Sequence, residues 1–147
     1  MSTDVIGVYL PAELYTQVQQ FYARQMGLLD AGLAEEWTET FTEDAVFDEP
    51  NRLDPLSGRD AIRVSARARA DRLAAERIQV RHWLGMLDVR RQEDGSLRAR
   101  TYALAMRTPQ GGALEIFASV VCRDHLVPLD GAWAVRHRHI QHDGADK

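Results

Sequence analysis

Ile78-Gln79-Val80-Arg81-His82-Trp83-Leu84-Gly85-Met86 opens as an apolar–polar alternation and then sets an imidazole on the apolar side. Successive strand side chains point to opposite faces, so Ile78, Val80, His82, Leu84 and Met86 are expected together, with Gln79 and Arg81 behind them. An imidazole among aliphatic side chains costs desolvation unless a partner fixes its tautomer or charge. His82 is therefore either a core histidine bonded to a backbone carbonyl or a general base in an apolar pocket.

Upstream of this strand the spacing is helical. Pro11 precedes a helix expected to run to about Asp30, with Leu14, Val18, Phe21, Tyr22, Gln25 and Leu29 three to four apart, and Ala31-Gly32 breaks it. A short helix is expected from Leu33 to Phe41, where Leu33, Trp37 and Phe41 recur every four residues, and Thr42-Glu43-Asp44 turns the chain into a short strand, Ala45–Asp48. Glu49 to Gly58 is expected to be a loop, and Arg59 to about Arg77 a third helix. Downstream the period becomes two, with strands expected at Ile78–Val89, Leu97–Thr108, Ala113–Val127 and Ala132–Gln141. Glu93-Asp94-Gly95, Pro109-Gln110-Gly111-Gly112 and Asp130-Gly131 are hairpin punctuation between them. Three helices followed by an antiparallel meander predict an α+β fold, with the helices covering one face of a curved sheet.

The 147 residues, 45% of them hydrophobic, suit a single domain spanning residues 1–147 with an ordinary core. A net charge of -4 gives no reason to expect nucleic acid. One cysteine, Cys122, excludes an intramolecular disulfide and a cysteine zinc cluster. With no signal-peptide pattern at Met1-Ser2-Thr3-Asp4 and no apolar run near the roughly 20 residues of a membrane span, a cytoplasmic protein without membrane contact is expected. Without a Gly-rich phosphate loop, an HExxH pattern or clustered carboxylates, no nucleotide and no metal is expected.

Parity along the later strands predicts a pocket lining. Tyr102, Leu104 and Met106 form a bulky set on the second, and Leu114, Ile116, Ala118, Val120 and Cys122 share a face of the third. Trp133, Val135, His137 and His139 share a face of the last, with Arg136 and Arg138 opposite. His82, Tyr102, Cys122, His137 and His139 are thus all expected inside, against the plainer reading of core packing for Tyr102 and Cys122 and of solvated edge positions for the two C-terminal histidines. A slip of one residue would reverse any of these assignments.

Asp30 in Leu28-Leu29-Asp30-Ala31-Gly32-Leu33 and His82 in Arg81-His82-Trp83-Leu84-Gly85 resemble the Asp and His of the SnoaL-like superfamily. This is the cone fold of nuclear transport factor two, ketosteroid isomerase and scytalone dehydratase. Trp37 to Phe47, Pro55 to Ile62 and Leu126 to Trp133 resemble further family segments, so that the likeness covers about Glu13 to Ile140. The whole chain is most similar to small SnoaL-like proteins of actinomycete aromatic polyketide clusters of the pyranonaphthoquinone type. The resemblance implies a three-helix cone and a cofactor-free dehydratase, cyclase or isomerase acting on a polyketide-type polycyclic ketone. His82 is then the base and Asp30 the residue that holds it, with Tyr102 or a C-terminal histidine as donor to the enolate or leaving group.

The chain departs from scytalone dehydratase in having Leu29 before the helix-end Asp and Glu49 after the first strand, where that family carries tyrosines, and Cys122 stands where many relatives have Tyr. Glu49 is either a replacement acid or a solvated loop carboxylate. The family also implies a homodimer through the open sheet face. The same fold serves as a non-catalytic ligand-binding or partner module and as the β subunit of ring-hydroxylating dioxygenases, and both remain open alternatives. Arg63, Arg67, Arg69, Arg72 and Arg77 on the third helix offer either a docking face for an acidic acyl carrier protein or, interleaved with Asp60, Asp71 and Glu76, a solvated face.

Overall fold

The computed structural model describes residues 7–50 and 52–145. After the two-residue strand β1 (Val8–Tyr9), helix α1 (Ala12–Asp30) turns Val18, Tyr22 and Gln25 inward and ends where Gly32 takes a positive φ of 76°. Helix α2 (Ala34–Thr38) is shorter than the spacing predicts, because Phe41 already belongs to strand β2 (Phe41–Asp48). The four-residue recurrence is real but joins two elements: Trp37 at the helix end meets the Phe41 ring edge-on at 4.7 Å, and the Val135 amide draws the Thr40 carbonyl into the sheet. The loop that follows contains a second short strand, β3 (Leu56–Ser57), and helix α3 (Arg59–Glu76) ends on Arg77 in the left-handed region.

The long strands β4 (Ile78–Arg91), β5 (Leu97–Pro109), β6 (Glu115–Leu129) and β7 (Ala132–His142) form the expected antiparallel meander. The sheet continues past β7 to β2, which pairs parallel to it, giving the order β1-β4-β5-β6-β7-β2-β3. It is a mixed curved sheet whose concave face is covered by the helices. Phe41, Ile62, Leu97, Leu126 and Val135 are fully enclosed between these layers and form the core's heaviest part. No helix among the described residues is long and apolar enough to cross a membrane.

Three register shifts decide which side chains face the cone. Between Gly85 and Asp88 the extra residue in β4 puts Met86 at φ 53° and leaves it 73% exposed, not beside His82 as the alternation predicts. Ala105 pairs with Ala118 but Met106 with Ile116, so Phe117 is the extra residue and Ile116 and Leu114 turn outward. His125 pairs with His137 but Leu126 with Val135, so Arg136 is extra and the parity of β7 reverses beyond it. A bulge inserts one unpaired residue and exchanges the faces of everything after it.

Candidate active site

Asp30 ends α1 directly beside β4, and the contact is two-pronged. His82 Nδ1 lies 2.6 Å from Asp30 Oδ1, while the His82 backbone N–H donates to Oδ2 at 3.0 Å. Gln79 Nε2 donates to the Asp30 backbone carbonyl at 3.0 Å, fastening the helix end to the same strand. With both carboxylate oxygens engaged, ring and carboxylate are fixed in mutual orientation. An ionised acceptor at Nδ1 keeps the proton on that nitrogen and leaves the Nε2 lone pair available. The side chains are 18% and 9% exposed, so the pair is shielded but not sealed.

The open side of the His82 ring meets a cavity of about 230 Å³ between α1, α3 and the concave sheet. The cavity exists because its sheet wall is built from small residues. Leu84 pairs with Ala103, His82 with Ala105, and Ala105 in turn with Ala118, so consecutive strands contribute methyl groups where bulk is expected. Leu29, Phe47 and Phe117 close the remaining walls with apolar surface. Asp30 stands behind the imidazole rather than in this lining, the arrangement of a supporting carboxylate.

Deeper in the cone lies a second polar cluster that the strand parity hides. Arg138 Nε and Nη2 each donate to Asp124 at 2.9 Å, and Nη2 also reaches Gln25 Oε1 at 2.6 Å. Tyr22 Oη donates to Asp124 Oδ2 at 2.7 Å, and the Cys122 thiol points at Oδ1 at 3.5 Å. Burial works against the Arg138 charge, but Asp124, together with Cys122 and Tyr22, more than offsets it and holds the guanidinium above its ordinary range. Burial first and the Asp124 charge second push the Tyr22 phenol and the Cys122 thiol up. Every group here has a partner within the protein.

The structure brings together some of the sequence-predicted residues and separates others. Leu29, Glu49, His82 and Cys122 line the cavity, Glu49 with Arg52 Nε 3.7 Å from its carboxylate. Tyr102 does not: it is 50% exposed on the convex face beside Trp83 and Leu104, because the register places Ala103 and Ala105 inside. His137 is exposed, and His139 bonds Asp48 at 3.0 Å on the outer side, both displaced by the Arg136 bulge that turns Arg138 inward. The expectation that Tyr102, His137 and His139 share the pocket is therefore corrected. Cavity residues that sequence reasoning missed are Arg52, Arg69, Arg138 and His142. Only Arg69 carried a legible signal, the stripe Ile62, Ser65, Ala66, Arg69 at helical spacing. Of the other α3 arginines, Arg59 donates to the Phe41 carbonyl, and the rest are paired at the surface: Arg63 with Asp60, Arg67 with Glu35 and Asp71, Arg72 with Glu76.

Comparison with known proteins finds the same fold. The chain is similar to Aln2 from a Streptomyces species, at 35% identity over 92% of this chain and 94% of that one, with a TM-score of 0.84. ActVI-ORFA from Streptomyces coelicolor is 31% identical over 93% of this chain and 100% of its own, with a TM-score of 0.84. A protein from Catenulispora acidiphila, solved in complex with S-DNPA, is 39% identical over 90% and 96%, with a TM-score of 0.77. No curated protein matches the chain. The family model for the SnoaL-like domain matches residues 11–139, and the chain belongs to that family.

Proposed function

We propose that the protein is a cofactor-free dehydratase or cyclase acting on a polyketide-type polycyclic ketone. The observation that carries this reading is the Asp30–His82 contact at 2.6 Å opening into an apolar cavity. His82 Nε2 takes a proton from the carbon next to the carbonyl. The C–H electron pair forms the enolate, and as the enolate collapses it expels an oxygen from the β carbon. That oxygen leaves as water with the proton that Nε2 held, so the base is restored within one turnover. Asp30 stabilises the imidazolium in between and keeps the tautomer. The S-DNPA complex of the Catenulispora acidiphila relative supports a small molecule as occupant of this cavity. General base catalysis contributes typically about 10²–10⁴-fold, so His82→Ala is expected to lower kcat by that range and Asp30→Asn by less. Turnover of a bicyclic β-hydroxy ketone that survives both changes, with binding intact, would overturn the Asp30–His82 mechanism, whereas binding without turnover in the unmodified protein would leave it a ligand-binding module.

The convex face supports a second part of the reading, a homodimer. Trp83 is 70% exposed, Tyr102 50% and Leu104 39%, on neighbouring strands, an apolar surface of the kind that marks an interaction site. Light scattering is expected to give twice the chain mass, and a Trp83→Asp variant half of that. A single-chain mass for the unmodified protein would remove the dimer.

A further inference from the structure

Proton abstraction from carbon leaves a negative charge on the carbonyl oxygen, and a water-poor site must meet it with preorganised donors. The donors expected from the sequence, Tyr102, His137 and His139, do not line the cavity. Among the residues that do, Arg138 and Arg52 already have partners. Arg138 spends Nε and Nη2 on Asp124 and Gln25, and Arg52 spends Nη2 on Ser65 and stands beside Glu49. His142 Nε2 and Trp37 Nε1 have no partner among the described residues, but both atoms are inaccessible to solvent and so present no surface to the open cavity.

Arg69 is different. It is half-buried, lines the same cavity as His82, and forms no hydrogen bond or ion pair with any of the described residues. It belongs to the α3 stripe that begins at buried Ile62 and lies roughly 10 Å further along the helix axis. Burial and the neighbouring Arg72 charge pull its pKa down, while Asp30 and Glu49 oppose them. Arg69 and His82 line one cavity, and both Asp30 oxygens are already engaged by His82. A guanidinium stays charged under such pressure and offers a rigid fork of donors. Here that fork is partly desolvated and unspent.

We propose that Arg69 is the residue that stabilises the enolate: its guanidinium donates to the carbonyl oxygen of the bound ketone, and the bond strengthens as the negative charge arrives there. This rests on the proton-abstraction reading of His82. The charge balance is complete within the site, since the proton moves to Nε2, the electron pair moves to the oxygen, and the Arg69 cation faces the resulting anion. No further co-reactant is required.

2-Naphthol tests the proposal without turnover, because its ionised form stands in for an enolate and fluoresces apart from the neutral form. Bound to the unmodified protein it is expected to ionise below its pKa in solution. A hydrogen bond to a charged group corresponds to a shift of roughly one to two pH units, so Arg69→Met is expected to raise the bound midpoint by that amount and Arg69→Lys by part of it. On the ketone substrate, Arg69→Met is expected to lower kcat roughly tenfold to a hundredfold with a smaller change in KM. Thermal unfolding of both variants is compared with the unmodified protein, and the lysine variant keeps the test open should the methionine variant fold poorly. The same midpoint in the unmodified and Arg69→Met proteins overturns the proposal. So does an unmodified protein that leaves 2-naphthol in its solution ionisation state. In a His82→Ala background the dependence on Arg69 is expected to persist, so that failure of the base and failure of the enolate donor are separately visible.

Discussion

Two carboxylates meet basic partners inside this cone, and they are built to opposite ends. Asp124 sits at the bottom with Arg138, Tyr22 and Cys122 all directed at it, its side chain 1% exposed and that of Arg138 4%. Asp30 sits at the rim with one imidazole, engages its two nearer hydrogens, and leaves the far nitrogen open to the cavity. A fully satisfied buried network rigidifies the place it occupies, whereas a partly satisfied one retains a capacity to react. The difference separates the pair that holds the cone from the pair proposed to act in it.

The comparison breaks first at Asp124. Truncating one partner of a buried ion pair strands the other charge and costs about 3–5 kcal/mol, so Asp124→Ala is expected to lower the urea midpoint sharply. Replacing both Asp124 and Arg138 by Leu and Met is expected to recover much of that loss, and a cost below about 1 kcal/mol for the single variant would place Asp124 outside the supporting structure. Asp30→Asn sharpens the contrast from the other side. It keeps the shape and loses the charge assistance, so a stability cost of about 1–2 kcal/mol is expected alongside the larger loss of activity already given. Equal stability losses at Asp30 and Asp124 would erase the distinction.

A smaller effect comes from Cys122. Its thiol is pushed up by burial and by Asp124, and in the unfolded chain it titrates near 9.0. The unfolded state therefore releases a proton above that pH that the folded state keeps. The contribution is fully present below pH 9 and stability falls as pH rises beyond it, with Tyr22 acting in the same direction from its ordinary 10.0. Urea midpoints are expected to drop from pH 8 to pH 10, and less so in Cys122→Ala. The native thiol is likewise expected to resist iodoacetamide at pH 8 and to react once urea exposes it.

How far the sequence discloses this molecule varies along the chain for identifiable reasons. α1, α3 and the four long strands follow from spacing and turn chemistry, since each is long enough for its period to stand out. Asp30 and His82 were readable because a motif preserved their pairing across the intervening chain. The facing of Tyr102, Ile116, His137 and Arg138 was not, since each lies beyond or opposite a position where one extra residue exchanges the faces, and Phe117 and Arg136 carry no local mark of being that residue. Bulk also misled: the largest side chains of β5 suggested an inward face, whereas a protein that keeps a hollow turns its alanines toward it. Arg69 was visible on a helical stripe but indistinguishable from its surface neighbours until their partners were known.

The parallel pairing of β2 with β7 bears on the order in which the molecule assembles. Val46 of β2 pairs with His137 and Asp48 with His139, pairings that span 91 residues of the sequence. During synthesis the helices and β2 emerge first, yet β2 has no neighbouring long strand to join until β7 has been made. Such distant pairings are slow to close because chain entropy is lost before the contact forms. The wall that carries Phe47 into the cavity is therefore expected to be completed last, so that a nascent or truncated chain has its helices before it has a place for a ligand.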